Sequence, residues 1–457
     1  MASPGTADPR KPTDDSNSGN SVSLLPILIA GVSLLACVIT GYLSHSSENR
    51  ALELSFLLLQ TIVVSIVIWQ ACDPFADAAH YIGHILKLPG SVRGATLDAI
   101  ASSMPELFAG IFFVVLAVAG ASADDVPVSD GEGFKSTIAT CAGSAVYNMI
   151  LIPAICAIFI SFYRKERPTI DVESSVITRD GAWFVAMEIL LIGFLVQNRI
   201  HWWMGVVFLL SYLVYVIILY LDARRFQARM KLVEEAMESG ITASEAMEEV
   251  RQRGITLSRD QERRFDGEHS DEDDDEEPET AGVLFGLFEV RLSLYSAWTI
   301  ILFSTLVAAA ACYQLVRLTE ATAETLGVDI FFVAVILAAA ASSVPDTFLS
   351  IGSARKGDDD GAVSNAFGSN IFDISICVSI PLLVASYLNG WQPIEMGQSG
   401  DIVGLQIMLA VLTLVTLGTI WHKRQLTRGK AFFLCGMYAV FIAYAVLGSW
   451  GVFGSGN

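Results

Sequence analysis

Apolar positions along the chain fall into long unbroken blocks rather than at the spacing of a soluble core. Eleven of them reach the about 20 residues that a helix needs to cross the hydrocarbon of a bilayer. They begin near Val22, Leu54, Gly94, Lys135, Gly181, Trp202, Ser293, Asp329, Gly361, Ile402 and Lys430. The expected fold is therefore an all-α polytopic membrane protein. Residues 1–21, rich in Ser, Asp, Pro and Gly, read as a disordered tail. Residues 22–43 are longer than the core of a typical signal peptide and read as a retained extra transmembrane helix, with a cleaved signal segment as the alternative. The other ten blocks split into five across 54–221 and five across 291–453, on either side of a polar linker at 222–290.

Composition agrees, since the 457 residues are 53% hydrophobic and 17% charged. The formal charge of -20 points neither to a basic partner nor to a halophilic surface, because ten acids crowd between Asp266 and Glu279, and no nucleic-acid partner is expected. That run lacks the spacing of an EF-hand loop and reads as a solvated disordered tract, with weak regulatory Ca2+ binding as the alternative. Earlier in the linker, Thr242 is a candidate N-cap and Gly254 a candidate stop. The seven cysteines occur singly in or beside apolar spans and imply neither zinc nor disulfides. Lys and Arg gather in alternate loops, at Lys87 and Arg93, Arg164 to Arg167, Arg224 and Arg225, Arg355 and Lys356, and Lys423 and Arg424. By the positive-inside rule that puts the linker and the amino terminus in the cytoplasm. Whether the host is the plasma membrane or an internal one stays open.

The chain repeats itself. Ala101-Ser102-Ser103-Met104-Pro105-Glu106-Leu107 returns as Ala341-Ser342-Ser343-Val344-Pro345-Asp346-Thr347. Gly143-Ser144-Ala145-Val146-Tyr147-Asn148 returns as Gly368-Ser369-Asn370-Ile371-Phe372-Asp373. The repeat regions are 94–160 and 329–385. Five crossings separate the copies, so they run in opposite senses, giving two inverted five-helix repeats, ten core helices in all. Each proline removes a backbone donor and releases the carbonyl four residues earlier, at Ala101 and Ala341. Serine hydroxyls and the carboxylates of Glu106 and Asp346 complete an all-oxygen set suited to hard cations. An ionised acid at mid-membrane costs at least ~2.5 kcal/mol, and no Lys or Arg lies inside these spans, so a bound cation is the simplest partner. Close packing of small residues would explain the serines but not the paired acids.

Asn148 and Asp373 occupy equivalent places, and Asp373 adds a third negative charge. Asp98 shares the helical face of Ser102 and Glu106 but its counterpart is Ala338. It reads as a solvated acid near the cytoplasmic end, the alternative being an accessory ligand or proton acceptor. Asp73, Asp77, His80 and His84 form a stripe that reads as meeting cytoplasmic water rather than a transition metal. Glu188 is a lone acid in a span, with no transport role assigned.

At these motifs the sequence resembles the cation/Ca2+ exchanger superfamily, and within it the Na+/Ca2+ and K+-dependent Na+/Ca2+ exchangers. Cys72-Asp73-x-Phe75 and Gly94-Ala95-Thr96 add to the likeness, which is detailed over about 150 residues of the two repeats. The resemblance implies antiport of Ca2+ against Na+, with Glu106 and Asp346 as central Ca2+ carboxylates aided by the carbonyls of Ser102 and Ser342. It implies Na+ ligands at Ser103, Ser343, Ser144 and Ser369 and at the carbonyls of Ala99 and Ala339. An acid at Asp373 is similar to the K+-dependent branch, where the other branch often has Asn, and this leaves K+ co-transport open. Ca2+, Na+ and K+ enter as substrates; no cofactor is implied, and the chain is not expected to be an enzyme. Ser102 and Ser342 stand where many members have Gly or Thr, and Ala145 replaces the Asn found at 370. The Gly-Asn-x-x-Glu-His signature of the H+-coupled branch is missing, yet coupling to H+, or transport of Mg2+, remains the alternative. From other classes, an intramembrane aspartyl protease using Asp346 and Asp373 lacks the Gly-x-Gly-Asp signature, and a non-transporting Ca2+ sensor would rely on the acidic tract.

Overall fold

The computed structural model describes residues 24–46, 49–86, 88, 90–123, 131–165, 168–172, 174–197, 199–238, 240–257, 280–396 and 400–450. The amino-terminal tail and the acidic run lie outside them. Among the described residues the first half holds α1 (Leu24–Ser46), α2 (Arg50–Ile85) and the composite α3. The last joins Gly90–Arg93, a π-turn at Gly94–Asp98 and Ala99–Ala123. Next comes α4, made of Glu132–Val146, a π-turn at Tyr147–Leu151 and Ile152–Tyr163. The half ends with α5 (Ser174–Leu195) and α6 (Trp202–Met237). The linker contributes α7 (Ala243–Gln252), then the strands β3 (Thr280–Val283) and β4 (Phe288–Arg291); β1 (Ile170–Asp171) and β2 (Arg199–Ile200) flank α5.

The second half repeats the plan. It opens with α8 (Leu294–Leu326), followed by α9, which joins Ile330–Val333, a π-turn at Ala334–Ala338, Ala339–Ser342 and Val344–Arg355. Then α10 joins Asp359–Phe372, a π-turn at Asp373–Cys377 and Val378–Leu388. The pair α11 (Gly400–Trp421) and α12 (Arg428–Ser449) completes it, with β5 (Ile394–Glu395) before α11 and β6 (Gln425–Leu426) after it. Ten of the described helical stretches are long and apolar enough to cross a membrane. The eleventh rod, α5, carries Arg179, Asp180 and Glu188 and packs along α11. The protein is thus an integral multi-pass membrane protein.

Local sequence explains where the rods begin and end. Asn49 accepts the Ala51 amide at the start of α2, Ser293 forms a capping box at α8, and Gly327 closes α8 at φ 68°, a backbone state that glycine adopts without a Cβ penalty. Thr242 caps α7 through a reciprocal box with Glu245, and Gly254 follows it at φ 80°.

The linker emerges from one face of the bundle. From that face α3 runs to the opposite one, while α9 runs back towards it, so the two copies of the first motif are antiparallel. α1 is the extra helix and packs against α2, which in turn lies along α8, with Arg50 bonded to the Thr325 carbonyl. Two short ladders join the halves. β1 pairs with β6 on the linker face, and β2 pairs with β5 on the other.

The β3–β4 hairpin lies against α2. Its Gly282 amide donates to Asp77 Oδ2 (3.1 Å), its Phe285 amide to Gln70 Oε1 (2.5 Å), and the Phe285 ring meets Trp69 edge-on. Trp69 stacks in turn on Phe348 of α9, with ring centroids 3.8 Å apart. The acid and histidine stripe is therefore not simply a solvated face. Asp77 is taken up by the hairpin, His80 pairs with Asp98, and only His84 is exposed.

Candidate functional site

Four composite helices bring the two repeats to one place. Each is interrupted by a π-turn, a wider turn that recurs at functional sites. In α3 the turn precedes Ser102, Ser103 and Glu106; in α9 it precedes Ser342, Ser343 and Asp346. About 18 Å of helix separates Gly94 from Glu106, which puts the carboxylate near mid-span. Pro105 sits inside a continuous helix, whereas Pro345 restarts one after a break at Ser343, which has φ -84° and ψ 3°.

Two glycines allow the helices to cross. A Cβ on Gly368 of α10 would lie 2.6 Å from Ala95 Cα in the π-turn of α3. A Cβ on Gly143 of α4 would strike the Val335 carbonyl in the π-turn of α9. Ala95 and Val335 are equivalent positions, so each repeat's second element rests on the other repeat's first. Ser144 and Ser369, next in sequence, are thereby delivered to the centre.

Ser102, Ser103, Glu106, Ser144, Asn148, Ser342, Ser343, Asp346, Ser369 and Asp373 all have 0% exposure, so the centre is closed to both faces. Ser369 donates to Asp346 Oδ1 at 2.6 Å, and Ser144 stands 3.2 Å from Glu106 Oε1, the two contacts being related by the repeat. Ser144 also lies 3.0 Å from Asp373 Oδ2, and its single proton serves one carboxylate at a time. Ser343 approaches Glu106 Oε1 (3.3 Å) and Ser144 Oγ (2.9 Å). Asn148 Nδ2 donates to Asp346 Oδ2 at 3.2 Å, and the hydroxyls of Ser102 and Ser369 are 3.1 Å apart. Ser103 reaches the Ser369 carbonyl at 3.5 Å. The Ala99 and Ala339 carbonyls border the set, each accepting a hydroxyl, from Ser102 at 3.4 Å and from Ser342 at 3.2 Å. All twelve sequence candidates thus belong to one cluster or its rim.

Three oxygens point into this cluster without a hydrogen-bond partner, namely Glu106 Oε2, Asp373 Oδ1 and Asn148 Oδ1. No ion pair among the described residues reaches Glu106, Asp346 or Asp373, although burying an ionised carboxylate unpaired is costly. Hydroxyls stand between the three carboxylates, and no group of three His, Cys, Asp or Glu among the described residues is arranged to chelate a metal ion. What the arrangement offers is a buried set of hard oxygens carrying up to three negative charges.

Residues 56–221 and 296–447 match the family described as sodium/calcium exchanger protein. The chain belongs to this family. Family members are secondary transporters that exchange Ca2+ and other cations across membranes, not enzymes. The chain is 26% identical over 395 residues to sodium/potassium/calcium exchanger 5 of Homo sapiens, covering 76% of this chain and 73% of that one. Among solved structures, the H+/Ca2+ exchanger CAX superposes with a TM-score of 0.55 at 14% identity, over 93% of each chain. The sodium-calcium exchanger NCX_Mj superposes with a TM-score of 0.50 at 15% identity, over 85% of this chain and 99% of that one. These two likenesses establish the polytopic exchanger fold.

Some features of this exchanger-family site were not readable from its motifs. Asn370, which lacks an amide counterpart, donates to the carbonyl of Ala145, its own equivalent position, at 3.1 Å. Thr347 donates to Tyr147 OH at 3.2 Å. Asp98 is not a solvated acid: it is 3% exposed, with Oδ1 2.7 Å from His80 Nε2. Glu188 lies outside the cluster, buried between α5 and α11, and accepts from Thr413 at 2.8 Å.

Proposed function

We propose that the chain is a secondary-active antiporter that exchanges Ca2+ for Na+ at the buried oxygen cluster by alternating access. Three buried carboxylates among serine hydroxyls carry the reading, because no Lys, Arg or His among the described residues forms an ion pair with them. Glu106 and Asp346 would hold Ca2+ with the carbonyls of Ser102 and Ser342. Na+ would use overlapping oxygens of Ser103, Ser343, Ser144 and Ser369 and the carbonyls of Ala99 and Ala339. Ions that compete for the same oxygens cannot occupy them together, and exposing the occupied site to one face at a time links their gradients. The clustering of Lys and Arg supports a cytoplasmic linker.

Asp373 favours a K+-dependent form of this exchange. With Glu106, Asp346 and Asp373 all ionised, Ca2+ leaves one negative charge uncompensated, and a monovalent cation beside Asp373 and Asn148 balances it. The printed name of the human relative includes potassium, which agrees with that reading.

The test is 45Ca2+ uptake in proteoliposomes. Uptake should require internal Na+ and be lost in Glu106→Gln and in Asp346→Asn. Stimulation by K+ should vanish in Asp373→Asn while Na+-driven uptake persists. Uptake indifferent to Na+ but driven by a pH gradient would replace Na+ with H+ as the coupling ion, and transport of Mg2+ in preference to Ca2+ would change the substrate.

A further inference from the structure

The linker ends in the β3–β4 hairpin, whose turn has a composition that does not suit water. Between Val283 and Phe288 it reads Leu284-Phe285-Gly286-Leu287. Hairpin turns ordinarily place Gly, Asn or Asp where φ is positive. Here Leu284 and Phe285 hold φ 52° and 61°, ahead of Gly286 at 78°. Bulky apolar side chains are thus kept at positions that favour glycine. Leu284, Leu287 and Phe288 are each more than half exposed, so packing against the core does not account for them. The charges of β4, Glu289 and Arg291, are confined to its stem.

The hairpin lies along α2 with its turn directed into the span of the helices. Gly282 is bonded at Asp77 and Phe285 at Gln70, which is two helical turns or about 10 Å further along α2 from the linker face. Trp69, which the Phe285 ring meets edge-on, stacks on Phe348, two residues from the buried Asp346. Non-helical backbone at such a depth must be paired within the protein. The turn meets that demand, since Gln70 Oε1 accepts the Phe285 amide and the Leu284 carbonyl accepts the Leu287 amide at 3.1 Å. This gives Gln70, an amide in an apolar span, its purpose.

Beside the hairpin, walled also by α1, α2 and α8, lies a cavity of about 990 Å3. No charged side chain lines it, and three of its few polar ones are already bonded within the protein. Gln70 serves the turn, Ser296 donates to the Arg291 carbonyl at 2.9 Å, and Thr299 donates to the Tyr295 carbonyl at 2.9 Å. Such walls recognise hydrocarbon rather than an ion or a sugar. Along α2 the cavity runs from Val63 to Pro74, about 16 Å of rise against the about 15 Å of hydrocarbon in one leaflet. Tyr295 and Trp298, largely exposed at the start of α8, suit the membrane interface at its outer end. We propose that the β3–β4 turn is immersed in the leaflet on the linker face and that the cavity beside it holds one acyl chain of a phospholipid. The linker is thereby tied to the bilayer as well as to α2.

The experiment uses the full-length chain in phosphatidylcholine vesicles and has two readouts. A nitroxide attached to Leu287→Cys, with the unsubstituted chain labelled in parallel as background, is relaxed by oxygen and by a water-soluble nickel chelate. It should favour oxygen, as a label on Val38→Cys of the exposed α1 surface does, and a label on Glu248→Cys of α7 should favour nickel. A Leu287 label that behaves like the Glu248 one overturns the proposal. For the cavity, native mass spectrometry after extraction into detergent should find a single phosphatidylcholine retained by the wild type. Gly31→Phe fills the cavity, since a Cβ built at Gly31 meets nothing within 4 Å, and it should lose that lipid. Gly436→Phe, at an equally open glycine on α12, should keep it. No retained lipid in the wild type, or equal retention in Gly31→Phe, overturns the proposal. Should Gly31→Phe fail to fold, the Leu287 label and the wild-type lipid measurement still decide it.

Discussion

Gly368→Ala tests whether the crossing of α10 over α3 sets the geometry of the centre. A methyl group at Gly368 would lie 2.6 Å from Ala95 Cα and 2.9 Å from the Ala95 carbonyl oxygen. Carbon atoms rest at about 3.5–4.0 Å, so α10 must retreat by about 1 Å. Both neighbouring atoms are backbone in a helix, and neither can swing aside. Ser369 is the next residue, and its hydroxyl is 2.6 Å from Asp346 Oδ1 and 3.1 Å from Ser102 Oγ. A retreat of that size loosens both contacts. Overpacking of this kind costs about 1–3 kcal/mol, and misplacing a reacting group by about 1 Å lowers activity by about 10²-fold. The expected result is a folded protein with modestly lowered thermal stability in detergent and 45Ca2+ flux reduced by about 10- to 100-fold. Gly143→Ala should do the same through Val335. Gly352→Ala is the control, since nothing lies within 4 Å of a Cβ built there. Wild-type flux in Gly368→Ala would refute the argument that this close approach positions Ser369.

Thr413→Val leaves the buried Glu188 without its donor and should lower stability by about 1–3 kcal/mol in thermal unfolding, while the double variant Glu188→Leu with Thr413→Val recovers much of it. Glu245 is held below the usual glutamate range by bonds from the Thr242 amide and hydroxyl, both 2.9 Å. A carboxylate shifted downwards contributes its stability above its ordinary pKa and loses it as pH falls through the depressed value. Hydrogen exchange along Ala243–Gln252, corrected for intrinsic rates, should therefore show protection falling at acid pH, and Glu245→Gln should remove that step.

The rods and the inverted order were legible because membrane spans announce themselves by unbroken apolar length and because the two Ser-Ser-x-Pro-acid elements are nearly identical. The candidate ligands were legible for the same reason: a buried acid in a span has few explanations. What stayed hidden depends on contacts between distant segments. Asp98 looked solvated because it lies four residues from the apparent start of its span, and its partner His80 sits on another helix at a position that reads as surface. The π-turns have no residue signature of their own. Gly143 and Gly368 were visible as repeated residues, but their purpose appears only when Val335 and Ala95 are seen lying across them. The break at Ser343, absent at Ser103, could not be anticipated from two motifs that differ so little.

The ladders β1–β6 and β2–β5 close the ends of α5 and α11, one at each face. Both helices have 22 residues, about 33 Å of rise, close to the about 30 Å of bilayer hydrocarbon. A single helix meets a thinner or thicker bilayer by tilting, but two antiparallel helices pinned to each other at both ends cannot tilt independently. They act as a fixed gauge. Any mismatch must then be taken up by the surrounding lipid, so this exchanger should be sensitive to acyl-chain length, with the α5–α11 pair as the element that measures it.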